Sequence, residues 1–182
     1  MPMLEQRIQQ QFFESADLLS QTAEALSKPI ADAAQTLLGC ITAGGKVMLC
    51  GSGPAVALAQ HGAALMIGRF ERERPGLAAL AVAGEIEVQA LGAPGDVLLA
   101  ISTGGPAPAL AAAVQAAQAK EMTVVALTGR DAAGLMSRLS ETDVLIAVPH
   151  DRAARIHEVH ALVLHCLCDA VDLQLLGEQD PT

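Results

Sequence analysis

The sequence contains no tryptophan, no tyrosine and only three phenylalanines among 182 residues. Binding single-stranded nucleic acid by base stacking requires aromatic platforms, and that class is excluded. Positive charge is also scarce: 11 Lys and Arg face 20 Asp and Glu, a net charge of −9. A surface this acidic disfavours direct contact with duplex DNA, which is held by clustered cations. The one basic cluster, Arg69, Arg72 and Arg74, is interleaved with Glu71 and Glu73 and reads as a solvated helix end. Long apolar runs are absent too. Each is broken by Gly, Pro or charge, so no membrane span is expected. The opening residues MPMLEQRIQQQ carry no apolar core of a signal peptide. The four cysteines (Cys40, Cys50, Cys166, Cys168) have no zinc-knuckle spacing and read as reduced apolar residues of a cytoplasmic protein.

What is present is small and aliphatic. Hydrophobic residues make up 52% of the chain and the mean hydropathy is +0.39, enough for one well-packed domain. Helical spacing predicts two N-terminal helices, over 4–26 and 29–43, the second with Pro29 in its first turn. Together they form a helical arm, residues 1–43, before a domain spanning 44–182. Short apolar runs then alternate with helical stretches. Strands are expected at Lys46–Cys50, Leu77–Ala83, Asp96–Ser102, Thr123–Leu127 and Asp143–Val148. Helices are expected at Pro54–Phe70, Glu85–Leu91, Pro106–Lys120, Asp131–Leu139 and Asp151–Leu176. Runs that are apolar throughout suit strands buried on both faces. The alternation predicts α/β architecture: a flavodoxin-like three-layer α/β/α sandwich on a five-stranded parallel sheet.

In such sheets ligands bind beyond the carboxyl ends of the strands, where the winding reverses. Two turns lie at such ends. Gly51-Ser52-Gly53-Pro54 leaves the first strand, and Ser102-Thr103-Gly104-Gly105-Pro106 leaves the third. Glycines let backbone approach an anion, and hydroxyls with helix-start N–H groups make a neutral cradle for a sugar phosphate. The first turn matches neither the dinucleotide fingerprint, because Val56 replaces its third glycine, nor a P-loop. A bare turn, or Ser/Thr capping of the following helix, remains the plainer alternative at each. Among the histidines, His61 falls within the first helix after a strand. His157, His160 and His165 lie on the last helix, with 157 and 165 near one face and His160 nearly opposite His165. His150 follows Pro149 and reads as loop surface. Zinc would need His61, His157 and His165 to meet in space.

The strings CGSGPAVALAQHGAALMIGRFERERP, GDVLLAISTGG, MTVVALTGRD and ARIHEVHALVLHCLCDAVD resemble the sugar isomerase (SIS) family. The resemblance is to the branch that holds phosphoheptose isomerase and the replication-initiation regulator DiaA, and several of these strings look closer to DiaA. For the isomerase, it implies acid–base proton transfer on sedoheptulose 7-phosphate by a Glu and a His, often with zinc. The position of that Glu, four residues after His61, is Leu65 in this chain. The late His matches His165, and a family Gln is His157. The phosphate-binding hydroxyls persist at Ser102 and Thr103 but are missing at Gly104, Ala107 and Ala55. A segment after the second strand is shortened to AVAGEIEVQALGAPGD.

These departures favour a non-catalytic reading. The resemblance to DiaA implies a homotetrameric adaptor for the initiator DnaA, whose basic surface an acidic partner suits. It implies contact through an apolar pair matched by Leu175 and Leu176. Isomerase activity carried by His61 and His165, or sugar-phosphate sensing through Ser102 and Thr103, are the alternatives. A carboxylate from Glu85, Glu87 or a neighbouring subunit reaching His61 and His165 would favour the enzyme.

Overall fold

The computed structural model describes residues 2–131 and 134–178. Five parallel strands make one sheet: β1 (Val47–Gly51), β2 (Ala79–Val82), β3 (Val97–Ile101), β4 (Thr123–Thr128) and β5 (Val144–Ala147). Their spatial order is β2-β1-β3-β4-β5, the flavodoxin-like winding expected from the alternation, with its switch point between β1 and β3. The register Leu49↔Leu99↔Val125 runs through three central strands. It puts alternate side chains on opposite faces, so each strand feeds two cores.

On one face pack α1 (Pro2–Thr42), α2 (Ala55–Ile67) and α5 (Ala153–Leu176). They close over Val47, Leu49, Val97, Leu99, Ile101, Val125, Leu127 and Ile146. On the other lie α3 (Glu85–Leu91) and α4 (Pro108–Ala119), over Met48, Cys50, Leu98, Ala100 and Val124. Aliphatic side chains and alanines fill both layers, which is how the chain forms a close-packed interior almost without aromatic rings. Helix α5 is long and apolar enough by composition to cross a bilayer. Its apolar side (Ile156, Val159, Val163, Leu164, Leu167, Val171) is instead packed into the sheet-facing core. The four cysteines are free thiols.

Three expectations are corrected. The N-terminal region is one helix of 41 residues, not two, with Pro29 in its interior. Proline there removes one backbone hydrogen bond, but packing decides the outcome. Leu26 before it and Ala33, Ala34 and Leu37 after it are all buried in the same core, and Lys28 pairs with Asp32 across it at 2.7 Å. The helix expected over 131–139 is replaced, among the described residues, by a single 3-10 turn, Met136–Arg138; residues 132 and 133 lie outside those described. Gly134, with φ +76°, is left-handed and incompatible with a continuous helix. The second strand begins at Ala79, two residues late, because Leu77 N–H is bonded back to Met66 O at the end of α2.

Candidate functional site

The two glycine-bearing turns meet at the switch point. Gly51 ends β1 beside the first turn of α2, so close that a side chain there would overlap the backbone of Ala55. Ser52 follows, and its Oγ lies 3.3 Å from Ser102 Oγ across the crevice. Ser102 is buried and accepts the Gly104 N–H at 3.3 Å. Capping does not account for these hydroxyls. Helix α4 starts later than expected, at Pro108, and neither its N-cap Ala107 nor Pro54 before α2 makes a side-chain capping bond. Thr103, Gly104 and Gly105 line a cavity of about 350 Å³ with Asp131, His150, Asp151, Ala153 and Ile156. His150 is therefore half-buried on the cavity wall, not free loop surface. Its Nδ1 accepts the Arg152 N–H at 3.0 Å and its carbonyl accepts the Arg130 N–H at 3.2 Å.

The structure brings two of the expected histidines together. His61 on α2 and His165 on α5 face each other with Nε2 to Nε2 at 3.1 Å. The rings are edge-on, with centroids 5.4 Å apart, and Phe70 flanks His165 at 5.4 Å. Close helix contact makes this possible. A Cβ at Gly62 would sit 2.7 Å from Leu49 Cδ2 and 3.2 Å from Leu164 Cδ2. The hydrogen at that position lets α2 settle on β1 and α5, which carries neighbouring His61 to neighbouring His165.

His157 does not join them. It lies two turns earlier on α5, about 12 Å along the axis. Among the described residues no group of three His, Cys, Asp or Glu is placed to hold a metal. Catalytic zinc takes three protein ligands, and the pair supplies two, so the set His61, His157 and His165 is not assembled as expected. Leu65, one turn beyond His61, is half-buried against the core. Glu85 and Glu87 are on α3, whose buried Val88 belongs to the opposite layer. Their carboxylates bond Gln89 and the Ala83 N–H. Neither reaches the histidine pair, so the carboxylate that would have favoured the enzyme is not supplied from there.

Two residues have clear structural roles, of which sequence reasoning missed the first. Arg74, expected in a solvated helix end, lies beyond the end of α2 with its side chain 1% exposed, paired with the Asp172 side chain on α5, also 1% exposed. Its guanidinium also donates to the carbonyls of Leu65, Met66 and Gly68, the unsatisfied acceptors at the end of α2. Arg72 likewise donates to Gly177 O at 2.8 Å beyond the end of α5. His160 is the second: fully buried, with Nε2 donating to Thr128 O at 3.1 Å. Burial above all, reinforced by the nearby His157, pushes its pKa down to about 4 against the opposing effect of the Thr128 bond. It is a neutral imidazole at ordinary pH. Leu175 and Leu176 end α5 at 37% and 41% exposed.

A family model for the SIS domain matches residues 11–129. A protein named phosphoheptose isomerase from Methylibium petroleiphilum is 60% identical over 200 positions, covering 100% of both chains. Since this chain has 182 residues, that relative carries residues this chain lacks. Another of that name, from Aromatoleum aromaticum, is 45% identical over 96% of this chain and 97% of its own. The solved structure of phosphoheptose isomerase GmhA from Neisseria gonorrhoeae superposes with a TM-score of 0.87 at 38% identity. It covers 93% of this chain and 98% of the other. A phosphoheptose isomerase from Francisella tularensis gives 0.87 at 36% identity, with 94% and 99% covered.

Proposed function

The chain belongs to the SIS-domain family, on the branch of the phosphoheptose isomerases, and from that premise we propose that it binds a ketose phosphate and isomerises it slowly. The substrate is sedoheptulose 7-phosphate, the family substrate implied by the sequence resemblance. The observation that carries this reading is the 3.1 Å contact between His61 and His165. Ketose–aldose isomerisation removes a proton from the carbon beside the carbonyl, passes through an enediol and returns a proton to the former carbonyl carbon. An imidazole can accept or donate that proton near neutral pH. Two in contact can pass it between them. The phosphate is held by the N–H groups and hydroxyls of the Gly51–Gly53 and Ser102–Gly104 turns.

General acid–base help is worth about 10²–10⁴-fold, so with Leu65 in place of the carboxylate the rate is reduced by a factor of that order. The test is turnover of sedoheptulose 7-phosphate by the purified protein. We expect measurable turnover that falls at least ~10²-fold in His165→Ala. No turnover, together with a sugar-phosphate thermal shift that disappears in Ser102→Ala, would replace the enzyme with a sensor.

A second reading has an observation of its own. Leu175 and Leu176 are exposed together at the end of α5, as a docking pair for a DnaA-type initiator would be. Pull-down of DnaA by the protein, weakened at least ~10-fold by joint Leu175→Ala and Leu176→Ala substitution, is its expected result. Equal capture by the double variant would remove it.

A further inference from the structure

The carbonyl of Thr128 is the last of β4 and accepts two hydrogen bonds. One comes from the Val148 N–H at 2.9 Å, just beyond β5. The other comes from His160 Nε2 at 3.1 Å, on α5. Strand β4, the chain leaving β5 and helix α5 therefore converge on one oxygen. The next residue, Gly129, is wedged at that junction. A Cβ there would lie 2.5 Å from Ile156 Cδ1, 3.2 Å from Thr103 O and 3.3 Å from His150 O. Those three neighbours all line the cavity beyond the strands, as does Asp131 two residues on. Arg130 extends the same junction, with its N–H on His150 O and its guanidinium on Pro149 O.

We infer that His160 is a positioning residue for the sugar-phosphate cavity, fixing the Gly129–Asp131 segment against Thr103 and α5 through its bond to Thr128 O. The inference rests on the reading that this cavity takes a sugar phosphate. His160 is not among the residues that line the cavity, and its side-chain bond is to that carbonyl. Its other nitrogen, Nδ1, is buried without a hydrogen-bond partner, as is Thr128 Oγ1 beside the carbonyl. An apolar residue here would remove the orphaned Nδ1 and leave Thr128 O its bond from the Val148 N–H, so packing alone does not call for histidine. A neutral ring is the form required, since Nε2 must donate while Nδ1 stays unprotonated.

The experiment compares His160→Leu, which keeps the volume and removes the donor, with His160→Gln, whose amide nitrogen can occupy the position of Nε2. Affinity for sedoheptulose 7-phosphate is measured by calorimetry, and amide hydrogen exchange is followed at Gly129 and Arg130. We expect His160→Leu to melt at or above the parent temperature, yet to bind about tenfold more weakly. The two amides should exchange about tenfold faster, and His160→Gln should restore most of both. Parental affinity and exchange in His160→Leu would overturn the inference. If the parent protein itself binds no sedoheptulose 7-phosphate, the proposed function falls, and exchange alone decides the role of His160. Faster exchange in His160→Leu but not His160→Gln upholds it; unchanged exchange ends it. If His160→Leu does not fold, His160→Asn, whose shorter amide cannot reach Thr128 O, takes its place under the same criteria.

Discussion

Replacing Leu65 with glutamate is expected to raise turnover of sedoheptulose 7-phosphate by about 10²-fold or more. Residues 61 and 65 are four apart on α2 and stack on one face, so the new carboxylate would lie beside the His61–His165 pair. It would supply a base for the carbon-bound proton and orient the neighbouring imidazole. The site is favourable for the change. Leu65 is only half-buried, so a carboxylate could keep contact with water, and the Leu65 carbonyl is already held by Arg74 at 3.1 Å. Progress curves of both proteins at matched concentration check it. A folded Leu65→Glu protein no faster than its parent would show that the missing carboxylate is not what limits the chain. The shortened segment after β2 would then be the loss that matters.

Arg74→Met is expected to destabilise the protein by about 3–5 kcal/mol. The substitution leaves the carboxylate of Asp172, 1% exposed, without its cationic partner in a dry interior. It also strips the last carbonyls of α2 of their donors. Asp172 has little spare compensation, since Oδ2 has no hydrogen-bond partner even in the parent. Joint replacement, Arg74→Met with Asp172→Leu, should recover most of the loss, because a packed apolar pair is often as stable as a buried ion pair. Denaturant unfolding of the three variants checks both statements. A single variant within 1 kcal/mol of the parent, on a ~3–5 kcal/mol expectation, would mean that Arg74 is a surface residue in solution.

How far the sequence revealed this differs by layer. The strands were legible because KVMLC, DVLLAIS and TVVAL are apolar at nearly every residue between their ends, as a sheet covered on both faces needs. The two glycine-bearing turns were legible as turns, because each follows a strand-like run and precedes a helical one. The single α1 was not, since a proline read locally is a boundary, and the burial of Leu26 and Leu37 in one core is a property of the whole fold. The clamp at Arg74 was hidden for a related reason. RFERERP has the composition of a solvated face, and nothing local shows that the carbonyls of α2 and the carboxylate of Asp172, 98 positions away, lie around one guanidinium. The histidines divide the same way. Helical projection put His157 and His165 near one face but ignored the axial rise between them, whereas His61 and His165 meet only because α2 and α5 pack side by side.

That packing turns on Gly62, where a hydrogen stands in place of a side chain and two helices and a strand rest against one another. Elements seated backbone to side chain at such range have no slack in which to slide, so the gap between the facing imidazoles is a fixed gauge. A sugar bound as proposed would have to fit that pair as it stands.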